Sequence, residues 1–381
     1  MNQKKGILSS SKDMDGRDGD GRALIKVMDR PTFILKTREG ENRAVSPSQR
    51  NGSKKESEHS NVSTKPLDVR AALAACPEMT KCIKFMDENM QLCDNPLDFL
   101  CDQQDFLVIG CVGTQGVGKS TIMSLLTSNS GSNIFPIQEL THQENGVNCT
   151  NGIDFFITKN RVIYLDTQPI LSGSIVDHSI SFEQKKNSTD FVINESNLEL
   201  QSLQFVAFLY SVCHVIIFVQ DWFVDPNLIR FLQAAEMLKP SSTTNMDQDY
   251  VEYYPHIVFL HNKASIQDFT PSNIEMMTDF YNKTFASSRL QIHSGVDMSS
   301  YPTENHLNLF LFPPILKNSD SMFYESKEEL IVKLRRKLHG ITRNAMTPSN
   351  LTEKNWYHYV IKVMEAIKKS HLSSEYGRLM P

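Results

Sequence analysis

Apolar positions along this chain fall into two periods. Unbroken runs such as "DFLVIGCV" (105–112), "HVIIFVQ" (214–220), "HIVFLHN" (256–262) and "LNLFLF" (307–312) have the length of strands buried on both faces. Between them lie stretches with apolar residues three and four apart, at 119–129, 198–213, 225–239 and 270–285. These predict helices, and Pro226 and Pro271 sit where a first helical turn tolerates proline. "GIDFFIT" and "RVIYLDT" flank the turn "KN" and predict a hairpin. The alternation predicts an α/β fold: a mainly parallel sheet with helices on both faces and an antiparallel edge made by the hairpin.

The pattern weakens at both ends. Residues 1–66 are polar and predict a disordered tail, apart from the apolar triad Phe33-Ile34-Leu35, which has the look of a docking motif. Residues 67–104 carry helical spacing and predict a helical lead-in to the main domain, 105–325. Residues 326–381 predict C-terminal helices packed on that domain, with Trp356, Tyr359, Val360, Val363 and Ile367 on one face.

Composition narrows the function. The chain has 381 residues, 40% hydrophobic, and a formal net charge of −5. Residues 1–66 hold 14 Lys/Arg and 9 Asp/Glu, which leaves 25 and 35 for the rest. An acidic folded part argues against direct nucleic-acid binding. The seven cysteines contain no C-x-x-C pair, so the expectation is reduced thiols in a cytoplasmic protein. No apolar run is long enough for a membrane span.

Candidate chemistry centres on "GTQGVGKS", which fits G-x-x-x-x-G-K-[ST] between a buried strand and a helix. Glycines let a loop wrap phosphate closely, and its N–H groups with the following helix N-terminus face the anion. Gly113, Gln115, Gly116, Val117, Gly118, Lys119, Ser120 and Thr121 are therefore expected to bind a nucleotide. Lys119 would meet the phosphates and Ser120 a Mg²⁺ ion. Asp166, closing the hairpin's second strand, and Thr150, before its first, are the other expected magnesium ligands. Asn262 and Lys263 follow a buried strand where a base could sit.

In that order these motifs resemble a Ras-like or dynamin-like G domain, a P-loop NTPase fold. More narrowly, "GIDFFIT", "YLDTQPIL", "LQFVAFLYSVCHVIIFVQDWF", "FLQAAEMLKPS" and "LTEKNWYHY" resemble the SMG factor nine family of nonsense-mediated mRNA decay. The resemblance covers about 106–265 and 350–380. It implies a heterodimer with a larger, G-domain-like SMG subunit and control of a phosphatidylinositol-kinase-like protein kinase. It also implies a purine nucleotide, GTP/GDP or ATP, with Mg²⁺.

The GTPase pattern breaks at several points. The usual Asp-x-x-Gly reads Asp166-Thr167-Gln168-Pro169, and proline has no N–H for a γ-phosphate. Ser265 stands where guanine recognition uses an aspartate, leaving guanine and adenine open. Gly116 occupies the place of a cis arginine finger, a group worth about 10³–10⁵ in rate. Gln168 is the remaining candidate to orient water. These features predict a nucleotide held as a structural or regulatory ligand, with an active dynamin- or Ras-like GTPase as the alternative.

Overall fold

The computed structural model describes residues 76–127, 133–144, 148–172, 191–221, 225–240, 252–299, 306–314, 325–371 and 375. The expected tail at 1–66, with Phe33-Ile34-Leu35, lies outside the described residues.

Among the described residues, seven strands form one sheet in the order β1-β3-β4-β2-β5-β6-β7. β2 (Leu107–Val112), β5 (Val215–Gln220) and β6 (His256–His261) lie at its centre and are buried at every position. Helices on both faces leave such strands no solvated side, so alternation disappears from their sequences. β4 (Val162–Thr167) runs parallel to β2, and β7 (Leu309–Leu311) parallel to β6. β3 (Ile153–Ile157) pairs antiparallel with β4, as the hairpin pattern predicts.

The outermost strand corrects the expected helical lead-in. Residues 83–86 form β1 (Ile83–Met86), antiparallel to β3, with Lys84 paired to Asp154 at 2.5 Å. A turn follows directly, in which Asp87 Oδ1 accepts from the N–H groups of Asn89 and Gln91. Local apolar spacing matched a helix, but the unpaired edge of β3 recruited this segment as a strand. Asn95–Asp98 is a 3₁₀ turn.

The helices are α1 (Lys119–Thr127), the short α2 (Leu140–Glu144), α3 (Phe191–Val212), α4 (Pro226–Leu238), α5 (Pro271–Thr284), α6 (Lys327–His339) and α7 (Glu353–Lys368). Asp225 caps α4 by accepting from Asn227 N–H, with Pro226 at its first turn. Ser326 and Glu329 form a capping box on α6. α7 packs against α3: Trp356 is fully buried and donates from Nε1 to Val212 O at 2.8 Å. The predicted apolar face is thus a core face, with Tyr359 half-buried at its margin and donating to Ser211 O. Two layers of core result, one on each side of the sheet.

Glu353 and Arg161, 192 residues apart, tie α7 to the hairpin; Arg161 Nε donates to Glu353 Oε1 at 2.6 Å. The expectation of seven reduced cysteines is also corrected. Cys76 and Cys101 are disulfide-bonded, leaving Cys82, Cys93, Cys111, Cys149 and Cys213 free. Their separation of 25 residues has no signature in spacing. Among the described residues, no helix is long and apolar enough to cross a membrane.

Candidate functional site

The parallel strands β2, β4, β5 and β6 end on one side of the sheet, and the loops that follow them meet there. Residues 113–118 carry the chain from β2 into α1. Gly113 is squeezed against β5: a Cβ would stand 2.3 Å from Val219 O. Gly118 has φ of +97°, and a Cβ there would lie 2.4 Å from Asn262 Nδ2. Gly116, φ +80°, faces open space. The loop therefore needs glycine at 113 and 118 for close approach, and at 116 and 118 for backbone conformation.

Asn262 and Lys263, at the end of β6, brace this loop. Asn262 Nδ2 donates to Val117 O at 2.8 Å, and Lys263 Nζ donates to Gly116 O at 3.0 Å. Lys263 also pairs with Asp221, just past β5, at 3.1 Å. Val117 turns its side chain into the core and Gly113 sits behind the loop, so neither lines the cavity.

That cavity has a volume of about 410 Å³. Gln115, Gly116, Gly118, Lys119, Ser120, Thr121, Thr150, Asn262 and Lys263 line it, nine of the residues singled out from the sequence. Lys119 is 6% exposed and donates to Gly113 O and Thr114 O, both at 3.0 Å. Neither partner carries charge. Burial pulls its pKa below the ordinary lysine value. A cation so placed favours an anion in the adjoining space.

Beside it, three oxygens from three segments converge. Ser120 Oγ donates to Asp166 Oδ2 at 2.7 Å, Thr150 Oγ1 donates to the same oxygen at 3.2 Å, and the two hydroxyls are 3.4 Å apart. The three groups are hydrogen-bonded to one another, and hydroxyl and carboxylate oxygens are the donor types a hard cation takes. Asp166 has no exposed surface, and burial raises its pKa against the opposing pull of the Ser120 hydrogen bond and Lys119. Cys111 Sγ approaches its other oxygen at 3.3 Å. Among the described residues, no three His, Cys, Asp or Glu side chains cluster as a metal site.

Gln168 stands apart from this arrangement. Thr167 and Pro169 line the cavity, and Gln168 is not among its lining residues. Its Oε1 accepts from Gly152 N–H at 2.7 Å, and its own N–H donates to Gly152 O at 2.8 Å. Both bonds tie it to the start of β3, away from Lys119 and Ser120.

Several lining residues were not legible in the sequence: Ile137, Gln138, Asn148, Cys149 and Pro314. Asn148 alone had a usable signal, a side-chain amide two residues before Thr150. An adjoining cavity of about 340 Å³ is lined by Asp221, Asn262, Lys263, Ser265 and Asp268, among others. There Ser265 donates from N and Oγ to Asp268 Oδ2, at 2.6 and 2.8 Å.

Comparison with known proteins places the chain in a family. The Smg8_Smg9 family model matches residues 102–254. The nonsense-mediated mRNA decay factor SMG9 of Xenopus laevis is 39% identical over 84% of this chain and 70% of its own length. SMG9 of Salmo salar is 39% identical over 82% and 70% of the two chains. Protein SMG9 of Drosophila melanogaster is 29% identical over 66% and 51%. A solved structure of the bacterial selenocysteine-specific elongation factor EF-Sec aligns with 62% of this chain and 29% of its own at 11% identity, with a TM-score of 0.31. Identity of this extent with the vertebrate proteins establishes that the chain belongs to the SMG9 family.

Proposed function

We propose that this protein is a regulatory subunit of nonsense-mediated mRNA decay whose G-like domain holds a Mg²⁺–purine nucleotide as a structural ligand. In this reading the domain pairs with a larger SMG subunit and, with it, controls a phosphatidylinositol-kinase-like protein kinase. Family membership supports the pathway, and a family model shared by Smg8 and Smg9 supports the pairing. The observation that carries the nucleotide reading is the convergence of Ser120, Thr150 and Asp166 beside the buried Lys119.

The roles follow from chemistry. The N–H groups of the glycine loop and of the first turn of α1 face the phosphates. Lys119 exchanges two neutral carbonyl partners for phosphate charge. Ser120, Thr150 and Asp166 are the residues that would hold Mg²⁺, which would supply positive charge against the phosphates when bound. Asn262 and Lys263 keep the loop in shape and border the space for a base.

Retention is favoured over turnover. Gln168 is engaged with Gly152, position 116 carries no arginine, and Pro169 offers no N–H. A ligand bound only by the folded state adds RT ln(1 + [L]/Kd), about 4 kcal/mol at a thousandfold excess over Kd. That holds the segments bearing Thr150 and Asp166 in one arrangement and shapes the surface around the cavity's mouth.

The test compares wild type with Lys119→Ala for assembly with the larger SMG subunit and for restraint of the kinase, alongside phosphate release. The structural-ligand reading expects loss of nucleotide and assembly together, with negligible turnover in wild type. Normal assembly by a nucleotide-free Lys119→Ala protein, or steady multiple turnover by wild type, contradicts it.

A further inference from the structure

Thr150 lies in residues 148–152, outside any helix or strand, yet it is buried and its hydroxyl meets Asp166 at 3.2 Å. A segment with no ladder of its own needs other anchors to hold a hydroxyl in one place. The peptide unit joining Asn151 to Gly152 supplies them, because both of its polar ends are tied. Its carbonyl, Asn151 O, accepts from Lys84 Nζ at 2.7 Å. Its N–H, on Gly152, donates to Gln168 Oε1 at 2.7 Å. Since β3 lies between β1 and β4, the two partners come from opposite flanks: Lys84 from β1, and Gln168 from just past β4.

A peptide moves as one plane, so fixing its oxygen and its N–H together fixes its orientation. Gly152 adds a third constraint. Its φ is +71°, and a Cβ there would stand 2.1 Å from Met86 O at the end of β1. Lys84 is itself held. It faces Asp154 in the register of β1 with β3 and pairs with that buried carboxylate at 2.5 Å. A lysine on an edge strand commonly serves to keep the edge solvated. Here its ammonium turns inward and grips the carbonyl one residue beyond Thr150.

We propose that Lys84 is a positioning residue for the magnesium end of the nucleotide site: by clamping the Asn151–Gly152 peptide it holds Thr150 where the hydroxyl can reach the cation. The proposal rests on the nucleotide reading above and extends control of the metal site to the outermost strand of the sheet. Lys84 is not among the residues lining the 410 Å³ cavity, so its effect passes through Thr150. With the clamp closed, the Thr150 segment is set before a ligand arrives, and binding does not have to order it.

Isothermal titration of the purified full chain with ATP and with GTP, each in Mg²⁺ and in EDTA, tests this. Wild type is expected to bind more tightly in Mg²⁺. Lys84→Met, which keeps the aliphatic stem and loses the ammonium, should shrink that magnesium gain about fivefold or more while leaving affinity in EDTA within about twofold. Thr150→Val should shrink the gain by itself, and adding Lys84→Met to it should remove little more, because both act through one hydroxyl. Retained binding in EDTA reports that each variant folds. If Lys84→Met fails to fold, Asp154→Asn, which takes away the charge that holds Lys84, carries the test with the same selective loss expected. Equal losses in Mg²⁺ and in EDTA, an undiminished magnesium gain, or losses that add fully to those of Thr150→Val overturn the proposal and leave the nucleotide reading standing. A wild type that binds neither nucleotide, or gains nothing from Mg²⁺, overturns that reading and this inference with it.

Discussion

Ser120, in the first turn of α1, donates a 2.7 Å hydrogen bond to Asp166 at the end of β4. Two segments 46 residues apart are thus locked by a contact whose acceptor is a fully buried carboxylate. Folding works against the charge on Asp166, because burial raises its pKa above the usual 3.8. A bound cation reverses that balance by favouring the ionised form.

Asp166→Asn should therefore separate stability from ligand binding. Below the ordinary carboxylate value both proteins carry a neutral side chain. As pH rises through the elevated folded pKa, wild type alone pays for an ionised buried group. Without ligand the variant should match wild type in acid and exceed it near neutrality, by thermal unfolding. It should lose Mg²⁺-dependent stabilisation by nucleotide. An undiminished magnesium effect in the variant would remove Asp166 from the metal site.

Gly118→Ala should disable the loop more than Gly116→Ala. Both demand positive φ, but only at 118 would the new methyl strike Asn262, whose amide braces Val117 O. Nucleotide affinity should fall about tenfold or more for Gly118→Ala and less for Gly116→Ala, the difference being the cost of the lost brace. Equal affinities in the two variants would contradict the assigned role of Asn262.

The parallel sheet, the hairpin and the glycine loop were readable from sequence because each is a local pattern: apolar runs, a two-residue turn, fixed glycine spacing. What was not readable depends on long-range pairing. β1 is a strand because β3 has an edge to fill, and Arg161 meets Glu353 across 192 residues. The bond between Gln168 and Gly152 was hidden for a related reason: it depends on the pairing of β4 with β3.

His214 and His261 should make the fold acid-sensitive. Burial pushes their pKa values down to about 3 and about 4, from an ordinary 6.5. Both are neutral when folded; His214 Nδ1 accepts from Val108 N–H at 3.0 Å. A depressed folded pKa gives stability that is present above 6.5 and lost as pH falls towards the folded value. Each histidine should remove about 1.4 kcal/mol per pH unit between about 6 and about 4. Denaturant unfolding across that range checks it; His261→Gln should flatten the slope, and an unchanged slope would count against a neutral buried imidazole.

Trp356→Ala should loosen α7 from α3. The side chain is fully buried, and its removal also leaves Val212 O without its indole donor. A loss of about 3 to 5 kcal/mol is expected for deleting a buried tryptophan. Urea unfolding should show it, and a change below about 1 kcal/mol would mean that α7 contributes little to the core.

The most direct test of the account is the nucleotide carried by the protein itself. Denaturing chromatography of the purified full chain, with native mass spectrometry for stoichiometry, gives base, phosphate number and occupancy together. Wild type should release close to one purine nucleotide per chain, with Mg²⁺ required for retention, and folded Lys119→Ala should release almost none. A wild type that carries no nucleotide and takes none up from Mg²⁺-ATP or Mg²⁺-GTP, or a Lys119→Ala protein that carries as much as wild type, would contradict it.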